Sequence, residues 1–119
     1  MFLNDYFMTK LFLDDIRQVK DIYPLATEYE FVLLRSYEAF IDYIRSNGLP
    51  EFISFDNDLG LLENGDLAPD GYAATKWLVY ESGLDLRELK FEVHSANPVA
   101  AVQIWGLLEN YQKFLKEQN

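Results

Sequence analysis

Four short apolar runs, each closed by polar side chains, set the strongest limit on how this chain can fold. Lys10-Leu11-Phe12-Leu13 runs into Asp14-Asp15, Phe31-Val32-Leu33-Leu34 into Arg35, and Phe52-Ile53-Ser54-Phe55 into Asp56. The fourth, Leu89-Lys90-Phe91-Glu92-Val93, runs into His94-Ser95. Each is too short for a helix. The first three are near-continuous in apolar residues, as strands buried on both faces are. The fourth alternates, which suits the edge of a sheet.

Helix signals fill the gaps between these runs. Ser36 is an N-cap residue with Glu38 in the following turn, and Phe40, Ile41 and Ile44 lie near helical spacing. Asn47-Gly48 stops that helix, and Pro50 begins the next connection. After the third run a loop passes through Asn64-Gly65 and Pro69-Asp70-Gly71. A helix with Ala73, Ala74, Trp77 and Leu78 follows, with Gly83 as its stop. Asn97-Pro98 opens a last helix expected to reach about Lys116, with an apolar stripe of Val102, Trp105, Leu108, Tyr111 and Leu115. The link between the first two runs contains Pro24 and has a weak helical period, which predicts a short helix or turn-rich loop. Strands alternating with helices predict a small α/β domain with a parallel sheet and right-handed crossovers.

The chain has 119 residues, enough for one domain. Its 10 Lys and Arg against 20 Asp and Glu give a formal charge of −10. Gripping a long nucleic-acid backbone needs cations to neutralise phosphates, so that class of binding is excluded. A cluster of carboxylates can still take a divalent cation and, through it, one phosphate. With no cysteine there is no thiol nucleophile and no thiolate metal site, and the single histidine argues against a dedicated zinc site. No apolar run approaches the ~20 residues of a membrane span. Met1 to Lys10 lacks the pattern of a signal peptide. A cytoplasmic protein with no membrane partner is the expectation. Residues 1–9 read as an N-terminal arm that packs weakly or pairs with a second copy in a homodimer, and 10–119 as the domain.

In open parallel α/β sheets ligands bind beyond the carboxyl ends of the strands, and here the polar residues gather at those ends. Asp14 and Asp15 follow the first strand, Arg35 the second, Asp56 and then Asp58 the third, and His94-Ser95 the fourth. Arg17 follows the acidic pair and Asn97 opens the last helix. Asp14, Asp15 and Asp56 are oxygen ligands suited to a hard cation such as Mg²⁺ or Mn²⁺, while Asp58 either joins them or organises its loop. Arg17 and Arg35 can hold a phosphate or pair with an aspartate. His94 suits a general acid or base, a ligand clamp or a packed ring. Ser95 can donate to a phosphoryl oxygen beside the N–H groups of the following helix, or cap the turn. Asp70-Gly71 reads as an ordinary helix entry, and Trp77 and Trp105 as core. The glycines form neither a phosphate loop nor a dinucleotide fingerprint.

These residues resemble those of response-regulator receiver domains. An acidic pair ends strand one, Asp56 in FISFD matches the phosphoacceptor of strand three, and Ser95-Ala96 fits the end of strand four. A receiver's fifth strand, with its lysine, has no counterpart. LFLDDIR, FISFDNDLG, DGYAATKWL and VHSANPVAA together are more specifically similar to the cyclic-phosphate processing receiver domain, over roughly Lys10 to Leu108. Where members of that group often carry a histidine, this chain has Asn57. The resemblance implies a compact flavodoxin-like sheet of about four parallel strands in the order 2-1-3-4, flanked by helices. It further implies a metal set of Asp14, Asp15, Asp56 and the Asp58 carbonyl, with Arg17, Arg35, His94 and Ser95 acting on phosphate. The implied activity is binding or opening of a cyclic phosphate on a nucleotide or RNA end, in bacterial or phage RNA repair. The alternative is a non-catalytic or phosphoacceptor signalling module of receiver type.

Overall fold

In a computed structural model, residues 9–118 of the chain are described. The expected arm falls, apart from Thr9, outside them. The four apolar runs become β1 (Lys10–Leu13), β2 (Phe31–Leu34), β3 (Phe52–Phe55) and β4 (Lys90–Val93). All pair in parallel, in the order β2-β1-β3-β4. The alternating run, β4, is indeed an edge strand.

The helices are α1 (Val19–Ile22), α2 (Tyr37–Asn47), α3 (Gly71–Tyr80) and α4 (Pro98–Glu117). Their starts are capped as the sequence anticipates. Ser36 Oγ accepts from Ala39 N at 3.1 Å, Asp70 Oδ1 from Ala73 N at 2.9 Å, and Asn97 Oδ1 from Val99 N and Ala100 N at 3.1 Å each. The link from β1 to β2 is the one-turn α1 and a 3₁₀ turn over Glu28–Glu30.

Because side chains alternate across a strand, the sheet divides its apolar residues between two faces. Leu11, Leu13, Leu34, Ile53, Phe55 and Phe91 form the main core with Phe40, Ile41 and Ile44 of α2, Trp77 and Leu78 of α3, and Ile104 and Leu108 of α4. The other face holds a smaller cluster of Phe12, Phe31 and Val19, with Tyr23 and Phe52 packed against it. Phe12 and Phe31 meet edge-on at 6.1 Å, while Tyr23 stacks on Phe31 at 5.4 Å.

The stripe expected on α4 is rotated at its N-terminal half. Ala100, Ile104 and Leu108 are buried, while Val102 is 72% and Trp105 38% exposed. Leu108, Tyr111 and Leu115 belong to both stripes; what separates them is where the helix meets the sheet. β4 is the last strand, so nothing among the described residues lies beyond it for Val102 to cover. Trp105 reaches back to the Phe91 ring, centroids 4.5 Å apart. No helix among the described residues is long and apolar enough to cross a membrane.

Candidate functional site

Strand register assembles the site. Leu13 aligns with Leu34 and Phe55, and Phe55 with Val93. The next residues, Asp14, Arg35, Asp56 and His94, therefore share one row at the carboxyl edge. The ladder continues through that row, with Asp14 N to Leu34 O at 3.1 Å, Asp56 N to Leu13 O at 2.8 Å and His94 N to Phe55 O at 2.8 Å.

Asp14 is fully buried and receives four donors. Its Oδ1 accepts from Ile16 N at 3.0 Å and Arg17 N at 2.8 Å; its Oδ2 accepts from Arg17 Nη1 at 3.2 Å and His94 Nε2 at 3.0 Å. Burial alone would raise its pKa, but these bonds outweigh that and hold it below the usual value. Asp56 is less well served. Its Oδ1 accepts from Asn57 N at 2.8 Å, and its Oδ2 lies 3.5 Å from Arg17 Nη1. Burial first, and then the charge of Asp14, push the Asp56 carboxyl up to about 6. One guanidinium nitrogen of Arg17 thus serves both carboxylates.

In front of this row lies an open cavity of about 370 Å³ lined by Asp15, Arg17, Asp56, Asp58, Ser95 and Asn97, among others. Two glycines shape it. Gly60 has φ +88, and a Cβ there would lie 3.1 Å from Asp15 Oδ2. The Asp58 carboxylate accepts from Gly60 N at 3.0 Å, organising the loop while it lines the cavity. Gly71, at the start of α3, packs so closely on β3 that a Cβ would fall 1.9 Å from Asp56 O. Asp70-Gly71 is thus a helix entry, and also the contact that seats α3 directly behind Asp56.

His94 sits behind the cavity. Its side chain is 4% exposed and its ring stacks on Phe12, 4.6 Å between centroids and 6° between planes. Both nitrogens are engaged: Nε2 with Asp14, and Nδ1 with Ser54 Oγ at 2.7 Å. Ser54 Oγ is in turn 2.7 Å from Tyr23 Oη, which also donates to Glu92 Oε1 at 3.2 Å. Burial lowers the His94 pKa, and the bond to Asp14 opposes this without reversing it. The sequence reading missed Ser54 and Tyr23. The available signal was a lone hydroxyl inside the apolar run of β3.

Several candidate residues do other work. Arg35 Nη1 donates to the carbonyls of Asp14 at 3.2 Å and Arg17 at 2.6 Å, so it ties down the loop after β1 and is not among the cavity-lining residues. Asn57 Oδ1 accepts from Tyr72 N at 3.0 Å and its carbonyl from Gly71 N at 2.7 Å, fixing the start of α3. The expected helix N–H donors beside Ser95 are taken. Pro98 has none, Val99 and Ala100 donate to Asn97 Oδ1, and Ala101 donates to Asn97 O at 3.0 Å. Ser95 Oγ accepts from Asn97 N at 3.0 Å, which leaves its own proton available.

The donor set fits a hard divalent cation. Ligand atoms of Asp14, Asp56 and His94 lie within 4.8 Å of one another, with both His94 nitrogens already hydrogen-bonded, and Asp56 also lines the cavity beside Asp15 and Asp58. Arg17 is the one cation among the lining residues, and burial first, then the nearby Asp14 charge, raise the Asp56 pKa more than Arg17 lowers it.

A four-stranded parallel sheet in this order, with acidic residues at its carboxyl edge, defines a receiver-like domain. The chain belongs to the cyclic-phosphate processing Receiver domain family, whose model matches residues 9–110. No curated protein matches the sequence. The fold is also similar to a solved chain in which amino acids 181–211 of the yeast Spc42 trimeric coiled coil are fused to another structure. That likeness has 19% identity and a TM-score of 0.56, over 84% of this chain and 61% of the other. This chain therefore spans about three fifths of that one.

Proposed function

We propose that the cavity binds the cyclic phosphate of a nucleotide or RNA end together with Mg²⁺ or Mn²⁺, and opens it. The observation that carries this reading is the meeting of Asp15, Asp56 and Asp58 with Arg17 and Ser95 around one open space. Asp14 and Asp56, with Asp15 and Asp58 beside them, would hold the cation, and a bound cation would supply Lewis-acid stabilisation of phosphoryl oxygens. Arg17 neutralises charge developing on the phosphate, and the Ser95 hydroxyl donates to a non-bridging oxygen. His94 acts through Asp14, on which its Nε2–H is fixed. In ring opening, water adds to phosphorus, one ester P–O bond breaks, and the proton that the water releases is balanced by the one the departing ribose oxygen takes up.

The test is hydrolysis of 2′,3′-cyclic nucleotides and of an oligonucleotide ending in a cyclic phosphate, with Mg²⁺ or Mn²⁺ present. Turnover is expected for the unaltered chain and not for Asp56→Ala or Arg17→Ala; equal rates in all three would refute it. A second reading, a phosphoryl-accepting or purely binding module, is favoured by one observation. Both nitrogens of His94 are engaged and Asn57 is tied to α3, so neither offers a free base to the cavity. Labelling of Asp56 by a small phosphoryl donor, without turnover of cyclic phosphate, would select that reading.

A further inference from the structure

A line of polar groups runs from the candidate site across the face of the sheet that carries α1, from Asp14 through His94 and Ser54 to Tyr23 and Glu92. Its links measure 3.0, 2.7, 2.7 and 3.2 Å. A carboxylate can only accept, so His94 Nε2 must carry a proton toward Asp14. With the ring neutral, Nδ1 then accepts the Ser54 hydroxyl proton, and the Ser54 oxygen accepts the single Tyr23 proton at 2.7 Å, leaving Glu92 Oε1, at 3.2 Å, only the weaker share of that proton. Ser54 is fully buried among apolar neighbours, where an unused hydroxyl would be costly. Its hydroxyl partners are His94 and Tyr23, neither of which lines the cavity. Stacking on Phe12 sets the plane of the imidazole, but a half-turn about Cβ–Cγ would keep that plane while exchanging the ring's two edges. The hydrogen bond to Nδ1 opposes that half-turn together with the bond from Nε2 to Asp14.

We infer that Ser54 and Tyr23 are positioning residues of this site, holding the His94 ring so that its Nε2–H stays on the Asp14 carboxylate. This rests on the proposed reading of the cavity as a cation and phosphate site. Groups that orient a site's first ligands commonly change metal affinity by 10–100-fold when removed. Tyr23 acts one link further back, by aiming the Ser54 hydroxyl, and its removal has the smaller effect.

The experiment uses the full chain at pH 8, with Ser54→Ala, Tyr23→Phe and Ser54→Thr. Nitrogen NMR of the metal-free protein reads the His94 tautomer, and calorimetry reads Mn²⁺ affinity. The unaltered chain is expected to show a single Nε2–H tautomer. Ser54→Ala should give the averaged signals of an unheld imidazole and about tenfold weaker Mn²⁺ binding. Tyr23→Phe should shift both readouts less in the same direction, and Ser54→Thr should restore them. Unchanged nitrogen signals and Mn²⁺ affinity in Ser54→Ala and Tyr23→Phe, even with lowered melting temperatures, would overturn the inference. If Ser54→Ala does not fold, Tyr23→Phe carries the test, since it keeps the ring packing. Failure of the unaltered chain to bind Mn²⁺ would refute the reading of the site, while the nitrogen signals still decide the positioning role.

Discussion

Asp56→Asn should stabilise the metal-free protein, and should do so only above mildly acidic pH. Asn keeps the shape of the side chain and can still accept from Asn57 N, but it carries no charge. An acid whose pKa moves from 3.8 to about 6 has an ionised form that costs roughly 3 kcal/mol in the folded state, at about 1.4 kcal/mol per pKa unit. Water entering the open cavity and small side-chain adjustments reduce this, so we expect a gain of about 1–2 kcal/mol. Between those two pKa values the folded state binds more protons than the unfolded state, and stability falls as pH rises. Below the unfolded value Asp56 is protonated in both states and the variant gains nothing; above about pH 7 the whole difference is present.

Urea unfolding in EDTA, followed by tryptophan fluorescence from pH 4 to pH 8, measures this directly. The gap between variant and parent should open across the window and then level off. A gap of constant size, or one that widens toward acid, would refute the argument. Divalent cation should reverse the sign. At a hundred times its dissociation constant, a ligand bound only to the folded parent adds about 2.7 kcal/mol, which exceeds the advantage of the variant.

Three further outcomes follow from the same geometry. Gly71→Ala places a methyl 1.9 Å from Asp56 O, so α3 must move off β3; a loss of about 3 kcal/mol in urea unfolding is expected. Arg17→Ala removes the guanidinium now placed between Asp14 and Asp56, so Mn²⁺ should bind more tightly by calorimetry while inorganic phosphate binds more weakly. Asn97→Ala leaves the N–H groups of Val99 and Ala100 without their acceptor and should cost about 1 kcal/mol, with faster amide exchange confined to the first turn of α4.

What the sequence made legible was set by local chemistry. The four strands could be read from runs of apolar residues, and the starts of α2, α3 and α4 from Ser36, Asp70 and Asn97, because a cap acts within three residues. The row of Asp14, Asp56 and His94 followed from strand ends in a parallel sheet. The buried stripe of α4 is not legible in the sequence because two stripes fit its spacing, and only the position of the sheet edge decides between them. The support of His94 lay out of reach for a similar reason. Its partners Asp14 and Ser54 stand 80 and 40 residues away, and Tyr23 stands 31 from Ser54. Arg35 appeared to belong to the site because it ends β2, yet its side chain meets carbonyl oxygens of the neighbouring loop. Strand ends fix where a side chain begins, and the competing acceptors around it determine where it finishes.

The two central aspartates are not equivalent, and the difference orders what their removal should do. Asp14 meets four donors on its two oxygens, which is the full acceptor capacity of a carboxylate. Asp56 has one N–H and a distant share of Arg17. Asp14 is therefore committed to the fold, while Asp56 retains an unmet demand for positive charge. In Asp14→Asn an amide N–H₂ would face the Arg17 and His94 donors, and a loss of about 3 kcal/mol is expected for breaking a buried charged network. Asp56→Asn removes no such network. For cation binding the order should invert, because a cation at Asp56 relieves a strained charge, whereas at Asp14 it must displace Arg17. Calorimetry of both variants with Mn²⁺, alongside their urea melts, checks the pair of orders together. Equal losses of affinity with equal losses of stability would show that the two carboxylates act as one group, and that their unequal hydrogen bonding carries no functional weight.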